Sequence, residues 1–210
     1  MKVGVVSDVH NNVRALAYAL EHLADCECVL NLGDLVFEYR VETEIVEIAR
    51  RAGLVGIAGN HEKAILQHPG LSVRNKLAAD VLDYLKALPA SRTMAIGGCN
   101  LLIAHGAPWD DPDDYRCAYV YERNNAAMER MRSVTADIIL LGHTHIPMLA
   151  PIGDKLVINP GTCGDARGAQ ARLTFGKIDF DVRVATVYGV REGEAPDRLL
   201  ERGFGLHARA

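Results

Sequence analysis

Five apolar runs in this sequence end in the same kind of residue. "VVSDVH" delivers Asp8 and His10, "VLNLGD" delivers Asp34, and "VGIAGNHE" delivers Asn60 and His61. "LLIAHG" then delivers His105, and "IILLGHTH" delivers His143 and His145. Taken singly, each has a bland explanation: an Asp after a strand favours a turn, and a lone His is commonly just hydrogen-bonded. Taken together they do not. Carboxylates and imidazoles crowded onto the edge of a core are poorly solvated unless they gather around cations. Two Asp, one Asn and four His (His10, His105, His143 and His145), with no thiolate, suit a pair of hard-to-borderline ions rather than a cysteine-zinc site. Mn²⁺ is the first expectation, with Fe, Zn²⁺ and Ni²⁺ as alternatives.

Such residues need a frame that brings strand ends together. Apolar runs at 2–7, 27–32 and 54–58 alternate with helical periods. "VRALAYALEHLA" places Val13, Leu16, Ala17, Leu20 and Leu23 on one face, and 41–52 does the same with Val41, Ile45, Ile48 and Ala49. Strand–helix–strand order implies parallel strands and right-handed crossovers. Functional groups in such sheets converge at the carboxyl ends of strands. Residues 72–88 carry the spacing of a longer helix, and 118–133 that of another. Gly97-Gly98 and Gly153-Asp154 mark hairpin turns, and the segment "ARLTFGKIDFDVRVATVYGV" alternates like antiparallel strands. The expectation is an α/β domain with two mixed sheets over 1–192, followed by a loose tail at 193–210.

Composition sets outer bounds. The chain has 210 residues, 49% of them hydrophobic and 24% charged, with a net charge of −4. That balance gives no reason to expect stable nucleic-acid binding. No run approaches the roughly 20 apolar residues of a membrane span. The first apolar stretch is short and meets Asp8 and His10 at once, unlike a signal peptide. Cys26, Cys28, Cys99, Cys117 and Cys163 lack framework spacing and read as reduced thiols, which fits the cytoplasm. A homo-oligomer is compatible with all of this.

The ordered motifs D-x-H, G-D, G-N-H-[ED], H-G and G-H-x-H, running from Asp8 to His145, resemble the calcineurin-like metallophosphoesterase superfamily. "INPGT" at 158–162 is similar to its small single-domain prokaryotic branch. The resemblance implies a four-layer α-β-β-α sandwich and a dinuclear site. One metal would take Asp8, His10 and His145, and the other Asn60, His105 and His143, with Asp34 bridging. His61 would stand over the site as acid or transition-state stabiliser. Two ions about 3.5–4 Å apart can share a hydroxide and stabilise an in-line displacement at phosphorus. The implied substrate is a small phosphodiester, phosphomonoester or nucleotide.

Departures from the pattern refine that expectation. Asn11 stands where the family usually has Gly; Asn tolerates left-handed geometry, and its amide could face the phosphate. Phe37 and Glu38 replace the Asp-Arg pair of the protein phosphatase branch, so the partner of His61 and a phosphate-clamping Arg are both expected to be missing. Arg40 and Arg167 are candidate replacement clamps. Trp109, Tyr115 and Tyr119 either stack a base or fill a lid. A non-catalytic interaction module on the same fold, a protein phosphatase and a nuclease remain as alternatives.

Overall fold

The computed structural model describes residues 1–68, 73–109, 118–166, 172–191 and 194–205. In chain order the strands of the first half are β1 (Lys2–Val6), β2 (Cys28–Asn31), β3 (Val55–Gly56), β4 (Ser91–Ile96) and β5 (Cys99–Ala104). Those of the second half are β6 (Ile138–Leu140), β7 (Met148–Ile152), β8 (Lys155–Asn159), β9 (Leu173–Asp179), β10 (Val184–Val190) and β11 (Asp197–Gly203). The helices are α1 (Val13–His22), α2 (Thr43–Arg51), α3 (Asn60–Gln67), α4 (Ala79–Ala87) and α5 (Asn125–Met131).

The strands form two sheets, ordered β11-β10-β9-β1-β2-β3 and β4-β5-β6-β8-β7. β1, β2 and β3 are parallel, as are β5, β6 and β8, while the remaining pairings are antiparallel. Both sheets are therefore mixed. Val3, Val5, Leu30 and Leu32 face Leu101, Ile103, Ile138, Leu140 and Ile158 in the core between them. The two-residue period sends Val6 and Val29 the other way, against Leu16 and Leu23 of the α1 region, Ile45 and Val46 of α2 and Leu85 of α4. On the far face, Met128 and Met131 of α5 cover Ile139 and Val157. The result is the four-layer α-β-β-α sandwich. Each fully buried aliphatic side chain in these clusters contributes about 1.5–3 kcal/mol of transfer free energy.

The structure corrects three expectations. The helix expected over 72–88 is interrupted: a single 3₁₀ turn spans Arg74–Lys76, and Leu77 and Ala78 are extended before α4 begins. The helix within 118–133 is confined to α5, whose start is capped by Asn124 accepting from the Ala127 N–H. Residues 197–203, expected as loose tail, are the edge strand β11, paired with β10 from Val184↔Gly203 to Gly189↔Asp197. An edge strand with one solvated side can be as charged as "DRLLERG" and still satisfy its backbone.

Cys26 and Cys28 are half-buried, Cys99 and Cys163 are buried, and all four are free thiols. Cys117 and Tyr115 lie outside the described residues. Among those described, no helix is long and apolar enough to cross a membrane.

Candidate metal centre

The eight central residues come from the carboxyl ends of both sheets. β1 leads to Asp8 and His10, β2 to Asp34, and β3 to Asn60 and His61; β5 leads to His105, and β6 to His143 and His145. The backbone there is forced. Asp8, His10, Asn11, Asp34, His143 and His145 have φ between 47° and 67°, and Arg183 is the other non-glycine residue with positive φ among the described residues. Such conformations cost of order 1–3 kcal/mol each and persist only where surrounding structure holds them.

The supports are visible. The Thr162 hydroxyl and the Gly164 N–H both donate to the Asp8 carbonyl, at 2.9 and 3.0 Å. Asn159 donates to the Gly142 carbonyl at 2.7 Å, bracing the loop that carries His143 and His145. The "INPGT" segment is thus a brace behind the centre. Glu62 does the same on the other side, accepting from the N–H groups of Asp34, Val36 and Gly59 at 2.9, 3.0 and 2.7 Å.

Nitrogen and oxygen atoms converge at the middle. Asp8 is fully buried; its Oδ2 accepts from the Ser7 hydroxyl at 2.5 Å and the His143 N–H at 3.1 Å. Its Oδ1 accepts no hydrogen bond, yet lies 3.2 Å from His145 Nε2 and 3.9 Å from both His10 Nε2 and His105 Nε2. On the other side, His105 Nε2 is 3.1 Å from both Asp34 Oδ2 and Asn60 Oδ1. His105 Nδ1 lies 2.7 Å from the Leu32 carbonyl, which requires the proton on Nδ1 and leaves the Nε2 lone pair facing inward.

Three donor groups each fit within 4.8 Å: Asp8–His10–His145, Asp34–His105–His143 and His10–Asp34–His61. An orphaned, buried carboxylate oxygen ringed by imidazole nitrogens is costly as it stands and well suited to a divalent cation. Electrostatics agree. Burial alone pushes the Asp34 carboxyl up, but the nearby imidazoles, His105 first, more than offset this and hold it below the ordinary range. Burial lowers the His10 imidazole. The Asp34 shift draws on positive charge at the imidazoles, the charge that a bound cation would supply once their inward nitrogens are deprotonated to ligate it.

His61 lies at the mouth, its Nε2 3.7 Å from Asp34 Oδ2. Its Nδ1 is 3.1 Å from Glu38 Oε2, so the carboxylate partner expected to be missing is present, one residue beyond the position where Phe37 stands. Phe37 packs against the His61 ring at 4.8 Å. Asn11 adopts the expected left-handed turn, but its amide does not face the centre: it donates to the Arg40 carbonyl and accepts from the Glu42 N–H. Arg40 pairs with Glu42 and is 80% exposed, away from the cavity lining. Arg167 lies outside the described residues.

A cavity of about 540 Å³ opens over the centre, lined by His10, Asp34, Asn60, His61, His143 and His145. Its wall also includes Tyr119, one of the aromatics expected at the pocket, together with Asp165 and Arg172, which sequence reasoning gave no role. Tyr119 stacks on His143 with centroids 4.0 Å apart. Asp165 is 3.5 Å from His145 Nδ1, and Arg172 is held by Asp197 of β11 at 3.0 Å.

The chain is similar to several known proteins. A phosphodiesterase of Methanocaldococcus jannaschii is 24% identical over 78% of this chain and 84% of its own length. An uncharacterised protein of the same organism is 25% identical over 96% of this chain and 97% of its own. A metallophosphoesterase structure from Sphaerobacter thermophilus shares the fold at a TM-score of 0.72, with 24% identity over 91% of this chain and 88% of that one. The model of the calcineurin-like phosphoesterase superfamily domain matches residues 1–182. The chain therefore belongs to the calcineurin-like phosphoesterase superfamily and is a metal-dependent phosphoester hydrolase.

Proposed function

We propose that the protein hydrolyses small phosphodiesters at a dinuclear centre. One ion would be held by Asp8, His10 and His145, the other by Asn60, His105 and His143, with Asp34 shared. The observation that carries this reading is the pair of donor triads, Asp8–His10–His145 and Asp34–His105–His143, meeting across the partnerless Asp8 Oδ1. Mn²⁺ suits the oxygen-and-imidazole set best, with Fe, Zn²⁺ and Ni²⁺ as alternatives. When bound, two such ions supply Lewis acidity and make a water acidic enough to act as nucleophile near neutral pH.

The chain's own residues have distinct tasks. Asp8 and Asp34 return two of the four positive charges, leaving the pocket attractive to a phosphate. His61 reaches over Asp34 and exchanges a proton with the leaving oxygen through Nε2. Glu38 holds the other end of that ring. The Glu38 N–H also points at His61 Nδ1 from 3.3 Å, and it cannot share that atom with the carboxylate in one protonation state. When Nδ1 instead donates to the carboxylate, 3.1 Å away, the proton that moves to the leaving oxygen is the one on Nε2.

A complete donor set with His61 in place argues against a non-catalytic module. The position of the phosphatase-type clamping Arg is Glu38, an acid, which argues against a phosphoprotein substrate. The net charge of −4 argues against a nuclease. The free, largely buried thiols suit the cytoplasm.

The test is a metal-supplemented screen of diesters, monoesters, nucleotides and phosphopeptides. Small diesters should be turned over fastest; phosphopeptide turnover above that of every small ester would contradict the reading.

A further inference from the structure

One carboxylate of the cavity wall belongs to no donor group. Asp34 is a ligand in the proposed centre, but Asp165 is in none of the three sets of converging donors. A negative charge there repels the phosphate that the cavity would admit, so its placement calls for another purpose. What Asp165 Oδ2 faces is His145 Nδ1, 3.5 Å away. The other nitrogen of that ring, Nε2, points into the centre, 3.2 Å from Asp8 Oδ1 and 3.1 Å from His10 Nε2.

The backbone fixes this position. The Asp165 N–H donates to Thr162 Oγ1 at 2.8 Å, and the same hydroxyl donates to the Asp8 carbonyl at 2.9 Å. The Thr162 carbonyl accepts in turn from the Thr174 N–H of β9 at 2.7 Å. One short turn, tied to β9, therefore sets the Asp8 main chain and carries a carboxylate behind His145. The other imidazole of the Asp8–His10–His145 group has no such support: His10 Nδ1 is buried and makes no hydrogen bond. In the second group, His105 relies on the Leu32 carbonyl.

We infer that Asp165 is a positioning residue for the ion held by Asp8, His10 and His145. This rests on the proposed dinuclear reading and deepens it. A neutral imidazole carries one N–H and one lone pair, and a facing carboxylate favours the N–H on its own side. Nδ1 of His145 therefore takes the proton, and Nε2 keeps its lone pair for the cation. The facing charge also makes that lone pair more basic, which strengthens its bond to the metal.

The test titrates Zn²⁺ calorimetrically into metal-stripped wild type, Asp165→Ala and Asp165→Asn. Wild type should take two equivalents. Asp165→Ala should weaken one of them by about 10- to 100-fold, the usual cost of losing such a partner, and leave the other unchanged. Asp165→Asn keeps an acceptor oxygen and should lose clearly less. NMR of the Zn²⁺-loaded protein gives a second readout: the His145 Nδ1–H signal should resist solvent exchange in wild type and broaden in Asp165→Ala. Thermal unfolding of the metal-free proteins should nearly coincide, because a merely structural residue would lower Tm with or without metal. Unchanged Zn²⁺ affinity in Asp165→Ala would overturn the inference, as would equal weakening of both equivalents. Only one equivalent in wild type would contradict the dinuclear reading; if that one still depends on Asp165, the positioning role stands. No uptake at all would contradict both.

Discussion

His61 Nδ1 lies 3.1 Å from Glu38 Oε2, with both side chains largely buried at the mouth of the metal centre. The contact orients the proposed acid, and the proposal makes a prediction that a merely structural Glu38 would not meet. His61→Ala should keep its metals and lose about 10²–10⁴-fold in turnover. The loss should be larger for an alkoxide leaving group than for p-nitrophenolate, which leaves without a proton. Glu38→Ala should show the same leaving-group dependence with a smaller loss, and the double variant should be no slower than His61→Ala alone. Additive losses would separate the two residues, and loss of metal in His61→Ala would make His61 a ligand.

A substitution that removes no ligand should still damage the centre. A Cβ on Gly59 would lie 2.1 Å from Asp34 Oδ1 and 2.4 Å from the Asp34 nitrogen. Gly59→Ala must therefore push the Asp34 carboxylate off its position. Metal titration should show affinity reduced by tenfold or more in a folded protein; unchanged affinity would mean Asp34 is not a ligand.

Glu62 should be essential to the frame rather than to the chemistry. Its carboxylate satisfies three buried N–H groups, and Glu62→Ala would leave them unpaired at about 1–3 kcal/mol each. Denaturant unfolding should show a loss of at least about 3 kcal/mol, with metal affinity falling alongside it. A loss below about 1 kcal/mol would contradict the bracing role.

Asp25 supplies a pH signature far from the centre. It bonds Lys177 at 2.6 Å and Lys2 at 2.8 Å, and these two partners lower its carboxyl from 3.8 to about 2. A depressed carboxyl stabilises the fold above its ordinary value, and that contribution is lost as pH falls through about 2. The group is exposed and screened, so Asp25→Asn should lower Tm by only about 1–3 °C at pH 7. The gap should shrink with added salt and close near pH 2; a gap that grows on acidification would reverse the assignment.

Much of this architecture was legible because buried strands announce themselves as short apolar runs. The residue after such a run is placed at a sheet end whatever its side chain does. That is why Asp8, Asp34, His105 and His143 could be read together. What was not legible depends on turns. Glu38 meets His61 only because the loop after Asp34 doubles back, with Phe37 bridging to Arg40. The same loop takes the Asn11 amide for itself and carries the Arg40 side chain outward to Glu42. Helix α3 begins inside the G-N-H-E motif and is capped by Glu62 reaching back to Gly59, so its start coincides with the site and leaves no separate signal. β11 has no two-residue apolar period because neither of its faces is buried: its side chains are all exposed or half-exposed.

The central claim is that two ions sharing Asp34 are required for phosphodiester hydrolysis. The direct measurement strips the purified protein with a chelator, returns Mn²⁺ in steps, and follows hydrolysis of bis(p-nitrophenyl) phosphate against bound metal. The stripped protein should be inactive, and activity should climb to a plateau at close to two ions per chain. Asp34→Asn should abolish both the second equivalent and the turnover. Full activity in the stripped protein, or an Asp34→Asn variant that keeps both ions and its rate, would contradict the account.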